Sequence, residues 1–391
     1  MLNRLLSHDL PRSRLLAVLL AAILLGLAFA PFIFPGVKAL SVAAKVLVFV
    51  VLVIILVALA IAPFAFPGSK ALGVAAKMLV FILLVASYDL LLGYTGIVSF
   101  AHTMFFGIGA YGVAVASTRL GAGWPALGLG VAVALALSLV LSLVIGLFSL
   151  RVKAIFYAMI TLAVASAFQT LASQLSDLTG GEDGLTFKNP TLFSPSFEPF
   201  EEPILGLAVD GRIFTYYALF IAVLGLFALL LRIVNSPFGR VLQAIRENDF
   251  RAEAIGYRTV VFRTLSNVLA ALFATLAGAL LALWLRYTGP DTTLSFEIML
   301  DILLIVVIGG MGTMYGAVVG AVLFVLAQNY LQDLLKLGAT AFEGVPLLSQ
   351  FVSPDRWLLW LGVLFVLSVY HFPTGVVGRL RALALREGPR S

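Results

Sequence analysis

Long stretches of this chain have no polar face at all. Apolar residues run almost unbroken through Leu15 to Phe34, Val46 to Ser69, Leu120 to Leu150, Ala154 to Ser176, Ile213 to Leu231, Thr264 to Leu285, Ile302 to Gln332 and Trp357 to Gly378, and none of these runs contains Asp, Glu, Lys or Arg. A hydrocarbon layer about 30 Å thick is crossed by about 20 apolar residues in a helix, so each run is long enough to span it. Strands of a membrane barrel would alternate polar and apolar over about ten residues; continuous runs point instead to helices, which satisfy their own backbone groups in lipid. The pattern predicts an all-α fold, a polytopic transmembrane helical bundle of about ten crossings. Ile302 to Gln332 is read as the end of one helix and the whole of the next.

Composition agrees. Hydrophobic residues make up 62% and charged residues 11% of the 391, with a mean hydropathy of +1.10, against roughly 25% charged in a soluble domain. The net charge of +6 raises nucleic acid as a partner, but the basic residues sit in short loops between spans. They read as topology signals toward a lipid bilayer, not as a nucleic-acid surface. There is no cysteine, and His8, His102 and His371 have no metal-ligand spacing, so no metal site is expected.

Two less hydrophobic segments carry opposite charge. Asp177 to Arg212 holds Asp177, Glu182, Asp183, Glu198, Glu201, Glu202 and Asp210 against Lys188 and Arg212, whereas Arg232 to Arg263 holds six arginines against Glu247, Asp249 and Glu253. The positive-inside bias puts the second in the cytoplasm and the first outside, joined by the span Ile213 to Leu231. Counting onward leaves the C-terminus inside, in keeping with Arg379, Arg381, Arg386 and Arg390. At the front, Arg12 and Arg14 precede an apolar run with no clean cleavage site, which reads as a first span or anchor. Ala30 to Gly36 recurs as Ala62 to Gly68, and Ala43-Ala44-Lys45 as Ala75-Ala76-Lys77. Either the extra copy spans and turns the first helix over, or one copy lies in or on the membrane without crossing. The chain thus divides into N-terminal membrane segments with a duplicated stretch, residues 1–90, and a core, residues 91–391, with an outside loop at 177–212 and a cytoplasmic loop at 232–263.

Glycine-rich segments interrupt the apolar pattern and predict broken or re-entrant helices. In the first, Gly93, Tyr94, Gly96, Ser99, His102, Phe105 and Gly109 are candidates to line a path; glycine permits close helix approach or a break, and Ser99 and His102, three apart, are expected on one helical face. Tight packing alone is the plainer reading. In the second, Gly309, Gly310, Gly312 and Thr313 lead into Gly316 and Gly320, and the spacing of Gly312, Gly316 and Gly320 predicts one smooth helix face. Asp89, Glu297 and Asp301 fall in or beside apolar segments, where an acid needs water, a partner or a proton. They form a proton relay, or they sit at the interface or pair with a base such as Arg286. Ser236 to Asp249 opens with a Ser-Pro helix start and places Val241, Leu242 and Ile245 on one side of a short amphipathic helix. A basic helix lying on anionic lipid has the same appearance.

At this segment a resemblance becomes specific. Gly239-Arg240, Ala244 to Asn248, Ala252 to Ala254 and Gly256 resemble the cytoplasmic coupling motif of branched-chain amino acid permeases of the ATP-binding-cassette importers. Gly93 to Tyr111, Thr179 to Gly184 and Gly309 to Ala321 are similar to three further motifs of that family in the same order, closest to the larger of its two paired permeases. Asp89 stands where the family carries a neutral amide, Ile97 where glutamine is frequent and Ala101 where glycine is usual.

The resemblance implies a non-enzymatic multi-pass subunit of the cytoplasmic (inner) membrane. It would work with a second permease subunit, two cytoplasmic ATPase subunits and an extracytoplasmic solute-binding protein, by alternating access. Gly239, Arg240, Ala244, Arg246, Glu247, Asn248, Ala254 and Gly256 would couple to the ATPases. The sequence has no G-x-x-x-x-G-K-[ST] loop, so ATP would be bound by partner subunits and no cofactor by this chain. Related members carry urea, short amides or aromatic acids, which remain alternative solutes. A proton-coupled carrier using Asp89, Glu297 and Asp301, and a passive channel, are the readings from other classes.

Overall fold

The computed structural model describes residues 40–65, 68–149, 154–197, 210–341, 353–371 and 375. The run Leu15 to Phe34, the Ala30 to Gly36 part of the first copy of the repeat and the arginines beyond residue 375 lie outside these residues, and with them the side on which Met1 sits. The described chain is an all-α bundle. Its principal helices are α1 (Leu40–Ala65), α2 (Ser69–Thr95), α3 (His102–Leu120), α4 (Trp124–Ser149), α5 (Ala154–Gln174) and α6 (Gly211–Val234), followed by the short α7 (Pro237–Glu247) and α8 (Asp249–Ala254). The long α9 (Thr259–Leu285), α10 (Phe296–Gly309), α11 (Met314–Ala341) and α12 (Trp357–His371) complete it. Among the described residues, seven helices are long and apolar enough to cross a membrane, and two shorter apolar stretches lie in α1 and α12.

The central helix, α2, is one that the charge-free runs leave out. Lys70, Lys77 and Asp89 interrupt α2, yet 83% of its span is buried inside the protein, against 22% for α5 and α6. A helix so enclosed meets protein groups that can pair its charges. Lys70 pairs with Asp333 of α11 at 3.2 Å, and Lys77 Nζ donates to Gln328 Oε1, also of α11, at 2.8 Å. The residue-90 boundary falls inside this continuous helix. By contrast, α4, α5 and α6 turn large apolar side chains outward, among them Val133, Val140, Met159 and Ile221, as helices in contact with lipid do.

Other runs are redistributed by local breaks. The run from Leu120 becomes α4 only from Trp124, because Gly121 leaves helical geometry at φ 90°. Ile302 to Gln332 divides as expected, with α10 ending at Gly309 and α11 starting at Met314. The glycine stripe there is shorter than its spacing suggests. Gly316 and Gly320 face Gly309 across the α10–α11 contact, while Gly312 precedes α11 in a left-handed turn at φ 79°. Where α3 crosses α9, a methyl on Gly109 would overlap the Thr275 carbonyl and one on Gly278 the Phe106 carbonyl, so two glycines facing opposite ways let the backbones touch.

The acidic and arginine-rich segments lie at opposite ends of α6. At the acidic end, β1 (Leu185–Thr186) pairs antiparallel with β2 (Tyr287–Thr288), and Phe187 N donates to Arg286 O at 3.1 Å, tying the loop to the end of α9.

α1 ends within the second copy of the repeat, at Ala65, and α2 begins at Ser69. Pro63 has no N–H, so the carbonyl four residues back, Leu59 O, loses its helical donor. Tyr216 OH of α6 donates to that oxygen at 2.6 Å, and Tyr217 OH donates to Ala60 O at 2.9 Å. Tyr216→Phe should therefore destabilise the purified protein by about 1–3 kcal/mol. In a Pro63→Ala background, where the helix supplies its own donor, most of that cost should vanish. Equal losses of thermal midpoint in both backgrounds, followed by circular dichroism in detergent, would refute this account.

Candidate functional site

Two polar centres lie inside the bundle, both built where α2 ends. At Gly96 the chain takes a left-handed turn (φ 73°) and caps α2, its N–H bonded back to Leu91 O and Leu92 O. Residues 97–101 are not helical, and α3 does not start until His102. His102 sits beside Ser87 and Leu84, about 16 Å back along α2 at 1.5 Å per residue, so the chain re-enters the bundle before turning into a helix. Ser99 and His102 consequently do not share a helical face: Ser99 belongs to the extended segment and His102 is the first residue of α3. Their spacing misled because it assumed a helix through a stretch whose backbone bonds are made elsewhere.

The re-entrant segment finds its partners in side chains. His102 Nε2 lies 2.9 Å from Ser87 Oγ and 3.3 Å from Leu84 O. Its ring packs against Tyr88 with centroids 5.1 Å apart. Phe100 N donates to Thr161 Oγ1 of α5 at 3.0 Å, and Ala101 N to Ser99 Oγ at 3.3 Å. Beyond it, Tyr157 OH donates to Asn267 Oδ1 at 3.2 Å, and Asn267 Nδ2 to Ser142 O at 2.9 Å. Ser99 and His102 are both buried. Ser87, Tyr157, Thr161 and Asn267 were not singled out from sequence; their signal was an uncharged polar residue among apolar ones, too common in these spans to select. Of the remaining first-cluster residues, Tyr94 and Phe105 are buried, and Gly109 serves the α3–α9 crossing.

The second centre is a joint between three segments. The Asp89 carboxylate, 1% exposed, accepts from Gly312 N at 2.8 Å. Gly93, one turn on, is so close that an added Cβ would overlap both Asp89 Oδ1 and Gly312 N. Arg246 Nη1 of α7 donates to Gly93 O. Its side chain also borders Gly96 and Gly312, where an added Cβ would lie 3.3 Å from Arg246 Cγ and 2.7 Å from Arg246 Nη1. Thr313 Oγ1 closes the turn onto Gly310 O at 2.7 Å, and Gly375 packs against Gly309 and Gly310. Gly93, Gly96, Gly309, Gly310, Gly312 and Thr313 thus gather with the coupling-segment arginine, apart from Ser99 and His102.

This changes the part expected of Arg246, which is exposed like most of the set yet reaches with its guanidinium to Gly93 O at the end of α2. The rest of the coupling set faces outward: Arg240, Ala244, Glu247, Asn248, Ala254 and Gly256 are exposed. Gly239 is the exception, buried against the Val234 carbonyl, where no side chain fits. α7 seats Leu242 and Ile245 on the bundle, with Val241 half-buried beside them. Asn248 caps α8 by accepting from Arg251 N at 2.9 Å, and Asp249 pairs with Arg263 at 3.1 Å. Sequence reasoning missed Phe250 and Ile255, 87% and 71% exposed on the same surface; their signal was an apolar residue inside an arginine-rich loop.

The three acids do not form one group of contacts. Asp89 belongs to the joint. Asp301 Oδ2 accepts from Gln328 Nε2 at 3.3 Å, and Gln328 in turn accepts from Lys77, so the base near Asp301 is Lys77 and not Arg286. Glu297 is exposed in the first turn of α10. Among the described residues no group of three or more His, Asp or Glu is placed to hold a metal ion. At the acidic end, a cavity of about 260 Å³ is lined by Asp210, Arg212, Trp284 and Arg286, among others. Its rim adjoins residues 198–209, outside the described residues.

The family model described as the permease component of branched-chain amino acid transport systems matches residues 70–369. The chain belongs to that family. The matched stretch runs from α2 into α12 and holds both polar centres and the arginine-rich loop. Among relatives, the permease is 27% identical over 285 residues to the high-affinity branched-chain amino acid transport system permease protein LivM of Salmonella typhimurium, covering 69% of this chain and 65% of that protein. It is 26% identical to the LivM of Escherichia coli over the same shares, so the chain spans 65% of the length of these two relatives. It is 25% identical to a probable LivM of Methanocaldococcus jannaschii, covering 72% of this chain and 80% of that protein. No solved structure matches it. The permease is therefore a multi-pass membrane protein of a transport family whose named relatives are transport components and not enzymes.

Gly312→Ala should be costly, because it strains a left-handed residue and meets Arg246. A loss of about 1–3 kcal/mol is expected from those two causes. Gly225→Ala, in α6 with nothing within 4 Å of an added Cβ, should leave the midpoint unchanged or raise it. Thermal unfolding of both variants in detergent makes the comparison.

Proposed function

We propose that this permease is the membrane subunit of an ATP-driven importer that moves branched-chain or related amino acids into the cytoplasm by alternating access. The observation that carries the reading is Arg246, which links an exposed arginine-rich helix directly to the joint where α2 ends and the α10–α11 turn begins. A surface helix of a simple carrier has no need of that reach; a helix that transmits motion from an ATPase does.

The surface around α7 and α8 has the chemistry of a docking site. Exposed Arg240, Glu247 and Arg251 share the loop with exposed Phe250 and Ile255, the mixture of apolar anchors and charge that protein interfaces use. Two cytoplasmic ATPase subunits would seat there and bind the ATP. A second permease would complete the membrane unit, and a solute-binding protein would deliver solute at the acidic end. Closure of the ATPase pair shifts α7, and the pull passes through Arg246 to α2 and the α10–α11 turn, favouring one of two arrangements of the bundle. The re-entrant segment with Ser99 and His102 lies above this joint and offers the solute polar groups in an otherwise apolar interior. Urea, short amides and aromatic acids are the alternative solutes. A proton-coupled carrier finds less support, since Asp89 and Asp301 are each engaged by hydrogen bonds in separate networks and Glu297 is exposed, one turn from Asp301.

Gentle purification of the tagged chain from native membranes, followed by mass spectrometry of what accompanies it, supplies the components for uptake into liposomes. ATP-dependent leucine uptake that needs the accompanying ATPases is the expected result. Uptake by this chain alone, collapsing with the proton gradient, would sink the importer reading. Phe250→Asp should lower ATPase recovery about tenfold while leaving the chain's yield unchanged; full recovery would move the docking surface elsewhere.

A further inference from the structure

We infer that Asp89 is the positioning residue of the coupling joint, holding the α10–α11 turn through a carboxylate oxygen and the coupling helix through its charge on Arg246. The inference rests on the proposed coupling role of α7 and extends it to a residue on another helix.

Asp89 is buried at the end of the bundle where α7 docks, and its two oxygens are in different situations. Oδ1 accepts from Gly312 N at 2.8 Å. Oδ2 is buried and has no hydrogen-bond partner among the described residues. Arg246 contacts the same two glycines, Gly93 and Gly312, that Asp89 contacts, so its positive charge acts on the carboxylate from across them, and the Thr313 backbone amide faces the carboxylate as well. Arg246 spends one donor on Gly93 O, and a guanidinium has five, so the rest of its fork is available. Gly93 and Gly312 lie between acid and base, each lacking the Cβ that would push them apart. The arrangement has two separable parts. A neutral acceptor suffices to hold Gly312, whereas only a carboxylate attracts Arg246. When α7 moves, Asp89 is the fixed point on α2 against which both other segments shift.

The chain has no cysteine, so single cysteines can report each segment. Ile245→Cys, buried under α7, reports release of the coupling helix, and Thr313→Cys reports the α10–α11 turn. Both are read as rates of labelling by a membrane-impermeant maleimide in inside-out membranes. Phe250→Cys, exposed throughout, controls for folding and access. Asp89→Asn keeps an acceptor for Gly312 N and removes only the charge. It should raise labelling at 245 about tenfold and leave 313 unchanged, whereas Asp89→Leu should raise both. Arg246→Gln should match Asp89→Asn at 245, and the double variant should label no faster than either single one. In the assembled complex, Asp89→Asn should raise the ATP hydrolysed per solute imported, which a purely structural loss would not change. Unaltered labelling at 245 in Asp89→Asn, or effects of the two substitutions that multiply, would overturn the inference. Labelling needs neither solute nor nucleotide, so a failure of the importer reading would show in uptake alone.

Discussion

Backbone that leaves helical geometry inside a hydrocarbon layer must find its hydrogen bonds in protein, and the interior of this permease is organised by that requirement. Residues 97–101 give up the helix between α2 and α3, and side chains from several helices close around them to meet the cost. Thr161 accepts from one freed amide and Ser99 from another, while His102 turns back to Ser87 and Leu84. At the opposite end of the same problem, Pro63 frees a carbonyl of α1 and Tyr216 reaches across to it. The polar residues scattered through the apolar spans are thus positioned where backbone groups are exposed, which is why they gather and why they look isolated in the sequence.

Burial of α2 follows from the same economy. A charged helix is a poor neighbour for lipid, but inside the bundle Lys77 meets Gln328 and Asp89 the Gly312 amide, while Lys70 pairs with Asp333 at the exposed start of the helix. The lipid-facing positions fall to α4, α5 and α6, which carry long uncharged faces. Two of the most apolar spans, α4 and α6, therefore form the periphery, and the central helix is one that a search for uncharged runs passes over.

The class of fold was legible because spanning helices are long and uniform, and the division of Ile302 to Gln332 was legible because glycines mark it. The amphipathic start of α7 could be read from Leu242 and Ile245, and the opposed charge of the two loops from simple counting. What could not be read was adjacency. Asp89, Gly93, Arg246 and Gly312 are far apart in the chain, and their meeting depends on the antiparallel packing of α2 with α11 and on the docking of α7, neither of which has a local signature. For the same reason Ser99 and His102 were expected on one helix: a helical repeat was extended through a segment whose hydrogen bonds are tertiary.

α9 joins the two faces of the molecule without interruption. Its first turn adjoins the Asp249–Arg263 ion pair of the arginine-rich loop, and its last residue leads directly into the strand that grips the acidic loop. At 1.5 Å per residue this helix is about 40 Å long. A rod of that length, in backbone contact with α3 along its middle through Gly109 and Gly278, can tilt but has little freedom to bend or slide. A rotation of about 5° about that contact would carry the start of the helix about 2 Å and its end about 1 Å in opposite directions. The two surfaces of the membrane would then be kept out of phase by rigid-body mechanics alone.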